Sequence, residues 1–221
     1  MFYYLGIDIA GYKNTWAVVL SLEKKEIYLK TILSLKNPLK PNSVSLKDIV
    51  NFCQNNKVLA VAIDAPLSFS IESEKGIRNS DKVLRDLLPS EAKAWVVSYN
   101  ALMAIPIRAY LLAQTIAPYC GTIIETHPRA SFYFSLPNNK KTLAFIYKKV
   151  NLNKEKKFLI NWLESKFDLC LSFDFKVTEG ILDAILCGVT GYFYHRYPEK
   201  LLFLPEKSNL KGFGPFVVIY F

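Results

Sequence analysis

Cysteine, histidine and glycine are all scarce in this sequence, and each scarcity removes a class of chemistry. The four cysteines (Cys53, Cys120, Cys170 and Cys187) form no C-x-x-C pair, and there are only two histidines. Neither a zinc centre nor a disulfide framework is expected from such a set. With nine glycines in all, no glycine-rich phosphate loop is built. The turn Gly11-Tyr12-Lys13-Asn14 lacks the glycine and hydroxyl residues that cradle nucleotide phosphates. Long apolar runs are missing too. The longest passage, from Ala94 to Ile107, is broken by Ser98, Asn100 and Pro106 and ends at Arg108, too short and interrupted to span a bilayer. The chain opens directly on a strand without a basic leader, so the expectation is a soluble, cytoplasmic protein with no membrane partner.

What remains is a chain of 221 residues, 51% hydrophobic and 14% aromatic, which is enough to bury a substantial core in one domain. No repeat, low-complexity run or interdomain linker divides it. The expected organisation is a single domain over residues 1–221 with helical insertions at about 66–120 and 128–175. The formal net charge of +9 favours polyanions such as nucleic acid, DNA or RNA, although scattered surface lysines alone produce the same balance. A homodimer is compatible with the sequence.

Three apolar runs share an unusual ending. Phe2-Tyr3-Tyr4-Leu5-Gly6-Ile7-Asp8, Val58-Leu59-Ala60-Val61-Ala62-Ile63-Asp64 and Thr122-Ile123-Ile124-Glu125 each deliver a carboxylate at or near the C-terminal end of a strand-like segment, just before turn residues. An unpaired charge there costs several kcal/mol on the order of the desolvation penalty, so each acid needs a partner or a task. Two further strands, 15–20 and 27–33, follow the first by short connections and predict an antiparallel meander. Ser45 caps a helix whose Leu46, Ile49, Val50 and Cys53 share a face. The second acidic strand should then pair in parallel with the first through a right-handed crossover.

Beyond Pro66 the pattern turns helical. A polar loop and short helix occupy 68–89, a longer helix kinked at Pro106 runs over 99–116, and Pro128 opens another through Phe134. Helices over 140–149 and 153–167 follow, and Thr178 caps an apolar helix carrying Glu179 and Asp183 on one face. Residues 201–204 and 216–221 read as strands. The whole is a mixed α/β sheet, three antiparallel strands then two parallel ones, flanked by helices.

Ligands of such sheets bind at the C-terminal ends of the parallel strands. Asp8, Asp64 and Glu125 are expected there, with Asp183 completing a cluster of four acids. Clustered carboxylates must be neutralised, and hard oxygen ligands without histidine or thiolate suit Mg²⁺ or Mn²⁺. Paired ions about 3.5–4 Å apart activate water and stabilise the leaving oxygen in phosphodiester hydrolysis. The reading is therefore a metal-dependent nuclease, with Asp8, Asp64, Glu125 and Asp183 as catalytic metal ligands.

The set Gly6-Ile7-Asp8 with Trp16, Ile63-Asp64-Ala65-Pro66, Arg78 with Asp81, Glu125-Thr126-His127-Pro128 and Leu182-Asp183-Ala184 resembles the domain-of-unknown-function family 429. That resemblance implies a ribonuclease-H-like fold and a nuclease activity resting on the same four acids. The Glu179…Asp183-Ala184 helix is also distantly similar to the last acidic motif of Holliday-junction resolvases. Thr15 stands where that family leads to expect glycine, and Arg129 where an acid is usual.

Supporting roles are assigned around the acids. His127 and Glu179 are candidates for a supporting layer behind the ligands, with a structural histidine and a dipole-favoured first-turn acid as their plain alternatives. Lys13, Arg78, Lys82 and Arg85 are candidate phosphate contacts, against which stands an Arg78–Asp81 surface pair. Two other functions compete with the nuclease. One is a non-catalytic nucleic-acid-binding or scaffold protein of the same fold, and the other an actin-like or sugar-kinase-like phosphotransferase.

Overall fold

The computed structural model describes residues 1–11, 14–23, 26–32, 44–70, 75–171, 174–205 and 213–221. Its centre is a mixed sheet of six strands in the order β5-β4-β1-β2-β3-β6. Strands β1 (Phe2–Asp8), β2 (Trp16–Glu23) and β3 (Glu26–Ile32) form the antiparallel meander, and β4 (Val58–Ile63) and β5 (Cys120–Glu125) add in parallel beside β1. The three-plus-two arrangement read from the sequence is thus present. A sixth strand, β6 (Leu169–Leu171), extends the other edge parallel to β3, a pairing too short to leave a periodic signature. The terminal strands β7 (Leu201–Phe203) and β8 (Val217–Ile219) pair with each other in a separate two-stranded sheet.

Helices cover both faces, and strand alternation sorts the core between them. Leu5, Ile7, Val61, Ile63 and Ile123 pack beneath α1 (Leu46–Asn55) and α3 (Ile105–Ile116). Tyr4, Ala60, Ala62 and Ile124 face the long helix α7 (Glu179–Arg196), which is capped by Thr178. Ser45 caps α1 through a capping box with Asp48. Two helices are shorter than the sequence suggested. Residues 99–104 form turns with Met103 at φ 57°, so α3 starts at Ile105 and Pro106 sits in its first turn, where a missing N–H costs nothing. Within 140–149 only α5 (Leu143–Ile146) is α-helical. The remaining helices are α2 (Asn79–Leu87), α4 (Pro128–Ser135) and α6 (Lys156–Phe167). No helix among the described residues is long and apolar enough to cross a membrane.

One contact fixes the height of α7 above the sheet. A Cβ built on Gly6 would lie 2.0 Å from the Ala184 carbonyl oxygen and 2.2 Å from the Gly188 nitrogen, so the helix backbone rests directly on β1. Both obstructions are backbone and cannot rotate away. Gly180 likewise yields its place to the Trp16 ring.

Gly6→Ala should destabilise the chain by about 3 kcal/mol or more, the upper part of the range for overpacking, because helix and sheet must separate. Gly11→Ala, with nothing within 4 Å of the added methyl, should stay within about 0.5 kcal/mol of the parent. Urea unfolding of both variants measures the difference.

Candidate functional site

The in-register ladder places the carboxylates. Ile7 pairs with Ile63 and Ile63 with Glu125, so these three form one row across β1, β4 and β5. The ladder continues one residue further, with the Asp64 N–H donating to the Ile7 carbonyl and Thr126 N–H to the Ile63 carbonyl. The next row is therefore Asp8, Asp64 and Thr126. In a pleated sheet adjacent rows face opposite sides. Asp8 shares its side with Gly6, which touches α7, so Asp8, Asp64 and Thr126 look toward that helix. Asp183 enters from α7, one residue before the Ala184 that rests on Gly6.

Glu125 belongs to the other row, although its charge still acts on Asp64. Both its oxygens are taken. Arg78 Nη2 donates to Oε1 at 2.5 Å, Arg78 Nη1 to Oε2 at 2.8 Å, and the Leu67 N–H to Oε2 at 2.8 Å. Asp81 grips the same guanidinium, accepting from Nη2 at 2.7 Å and Nε at 3.1 Å, and Ser68 accepts from Nη1. Arg78 and Asp81 are buried rather than a surface pair, and the guanidinium is committed to two carboxylates rather than offered to a phosphate. Burial raises the Glu125 carboxyl, while Arg78 opposes that effect and holds the charge in place. This arginine with two acids is a closed structural unit.

The three aspartates are different. Burial first, then the charges of Asp183 and Asp64, push Asp8 well above the usual carboxylate range. Burial and Asp183 push Asp64 up to about 7, and burial raises Asp183 against the pull of Lys148. Lys148 supplies local positive charge, its Nζ 3.2 Å from Asp183 Oδ2, and Tyr147 Oη donates to Asp183 Oδ1 at 2.8 Å. Burial alone would lower the Lys148 ammonium, yet Asp183, Asp64 and Asp8 together raise it. Two cations thus act on the three acids, Lys148 in contact with Asp183 and Arg129 through its charge. The Asp183 Oδ2 and Thr126 Oγ1 atoms are buried without a hydrogen bond. Among the described residues, no three acidic, histidine or cysteine side chains stand ready-made in metal-ligating geometry.

A cavity of about 310 Å³ opens over this end of the sheet. Asp8, Asp64, Thr126 and Lys148 line it together with Arg78, Asp81, Glu125 and Arg129 and the apolar Val96, Leu102 and Ile105. His127 also lines it, but with both nitrogens engaged: Nδ1 accepts the Ala130 N–H at 3.2 Å as the cap of α4, and Nε2–H donates to the Trp95 carbonyl at 3.2 Å. Burial lowers this imidazole to about 4, so it stays neutral and structural. Arg129 donates to the Ala144 and Phe145 carbonyls and stacks 4.1 Å from the Trp95 ring centre, which pins the turn bearing Tyr147 and Lys148. The buried Thr15 hydroxyl ties to Ala10 across the turn after β1.

The other candidates fall away from the cluster. Glu179 is exposed on the first turn of α7. Lys82 and Arg85 line a separate surface hollow, where Arg85 donates to the Val96 carbonyl. Lys13 lies outside the described residues. Lys148, Tyr147 and Thr126 were not assigned roles from the sequence. Row parity identifies Thr126, because it occupies in β5 the position that Asp8 and Asp64 occupy in their strands. Nothing in a lysine-rich stretch singles out Lys148.

Arg78→Met should cost about 3–5 kcal/mol by leaving Glu125 and Asp81 buried without their cation, and adding Glu125→Leu should recover much of the loss in urea unfolding. Stability should also depend on pH through Asp64. The folded chain holds this proton more tightly than the unfolded chain does, so stability is highest below about pH 4 and is lost as pH rises through about 7. Relative to Asp64→Asn, the parent should lose about 1.4 kcal/mol per pH unit in that window in metal-free buffer.

No curated protein and no solved structure matches the chain. The family described as "Protein of unknown function (DUF429)" matches residues 6–209, an interval containing both carboxylate rows, Arg78, Lys148 and Asp183. The chain belongs to the DUF429 family.

Proposed function

We propose that the protein is a metal-dependent nuclease of ribonuclease-H-like architecture, hydrolysing phosphodiester bonds with Asp8, Asp64 and Asp183 as the ligands of Mg²⁺ or Mn²⁺. The observation that carries this reading is the convergence of three perturbed aspartates from β1, β4 and α7, with Lys148 in contact and Arg129 acting through its charge. Structural acids are normally matched, as Glu125 and Asp81 are by Arg78, whereas perturbed, undercompensated acids in a cavity mark functional sites.

The residues fit a hard divalent cation. All three offer oxygen, the cluster carries surplus negative charge, and Asp183 Oδ2 already faces a cation, the Lys148 ammonium. When bound, such an ion supplies Lewis acidity and an activated water. The net charge of +9 gathers a polyanion from solution. Tyr147 fixes the rotamer of Asp183 by holding Oδ1, and the Arg78 unit braces the end of β5. The sheet supports the architecture, with its three-stranded meander followed by two parallel strands after a crossover through α1.

Cleavage of single-stranded, duplex, hybrid and branched substrates in Mg²⁺ or Mn²⁺ tests the proposal. Asp8→Asn should reduce cleavage by at least about a hundredfold, because each ligand acts on the transition state. Equal cleavage by parent and variant contradicts the assignment. Binding without cleavage of any substrate supports the scaffold reading instead.

A further inference from the structure

Lys148 stands among the carboxylates that a metal ion would need. Its ammonium lies 3.2 Å from Asp183 Oδ2, and its charge also acts on Asp64 and Asp8. Ammonium and Oδ2 form an ion pair, and Asp183 itself is 1% exposed. The lysine is not buried with its partner, for 41% of its side chain remains exposed. It emerges from the turn after the four-residue α5, and it lines a second hollow outside the cavity, shared with Lys149, Lys176, Thr178 and Glu179. The side chain can therefore leave the aspartates by rotating into solvent while the backbone, pinned by Arg129, stays where it is.

We propose that Lys148 is a tethered counter-cation of the aspartate cluster, which a divalent ion displaces from Asp183 on binding. The inference rests on the metal-binding reading of Asp8, Asp64 and Asp183. Without an ion, the ammonium offsets part of the repulsion among the buried Asp183 and the half-buried Asp8 and Asp64. With an ion in place, ammonium and metal would repel across a short distance while competing for the same oxygen. The lysine therefore weakens metal affinity and keeps the metal-free fold intact. A lysine whose task was only to grip substrate phosphate would leave metal affinity unchanged.

Calorimetric titration of the full chain with Mn²⁺ near neutral pH tests the competition, using the parent, Lys148→Met and, as a surface-charge control, Lys149→Met. Lys148→Met should bind Mn²⁺ about tenfold more tightly, the equivalent of about 1.4 kcal/mol for removing one contacting charge, and Lys149→Met should match the parent. Unchanged or weaker binding by Lys148→Met overturns the proposal, as does equal tightening in Lys149→Met. If Lys148→Met fails to fold, the parent still decides the question. Acetylation of Lys148 by an N-hydroxysuccinimide ester, followed by mass spectrometry, should quicken several-fold when Mg²⁺ saturates the site. An unchanged or slower rate overturns the proposal. Failure of parent and variants alike to bind Mn²⁺ removes the metal reading and this inference together, whereas equal binding by both removes this inference alone.

Discussion

The close approach of α7 to β1 sets the geometry of everything else. At Gly6 the helix backbone lies where a side chain would be, against the Ala184 carbonyl and the Gly188 nitrogen. That spacing lowers Asp183 to the level of Asp8 and Asp64, and burial at the contact removes the water that would otherwise solvate them. Gly180, filled by the Trp16 ring, holds the first turn of the helix against the same meander. A bulkier residue at position 6 would lift the helix and take its carboxylate with it.

Two groups of charge then line one cavity at the same sheet end, and they are resolved differently. In one, Arg78 spends its guanidinium donors on Glu125, Asp81 and Ser68, and the group is geometrically closed. In the other, three aspartates share a partly exposed lysine and a tyrosine hydroxyl. The first arrangement stiffens the ends of β5 and the segment leading into α2. The second leaves negative charge in excess beside the cavity.

Much of this was legible in the sequence because apolar strands interrupted by an acid are conspicuous. Asp8, Asp64 and Asp183 could be selected without coordinates, as could the caps Ser45 and Thr178. Glu125 looked equivalent, but β5 is entered with its glutamate in register with Ile63 rather than with Asp64, and a one-residue offset reverses the face. Arg78 was visible as a candidate, yet its partner across 47 residues was not, since an i,i+3 acid offered a nearer explanation. The helix read over 140–149 shrank to Leu143–Ile146 because Arg129 takes the Ala144 and Phe145 carbonyls that a continuing helix would use. The departure at Arg129 is thus what positions Lys148, a residue that sequence pattern alone could not distinguish from its neighbour Lys149.

In the proposed function Asp8, Asp64 and Asp183 hold one cation, and Glu125, engaged by Arg78, takes no part. Anomalous diffraction from crystals soaked in Mn²⁺ tests it most directly. A manganese peak bounded by the three aspartates, with Arg78 still bridging Glu125 and Asp81, is the expected result. A peak ligated by Glu125, or crystals that take up manganese elsewhere and leave the three aspartates without density, would contradict it.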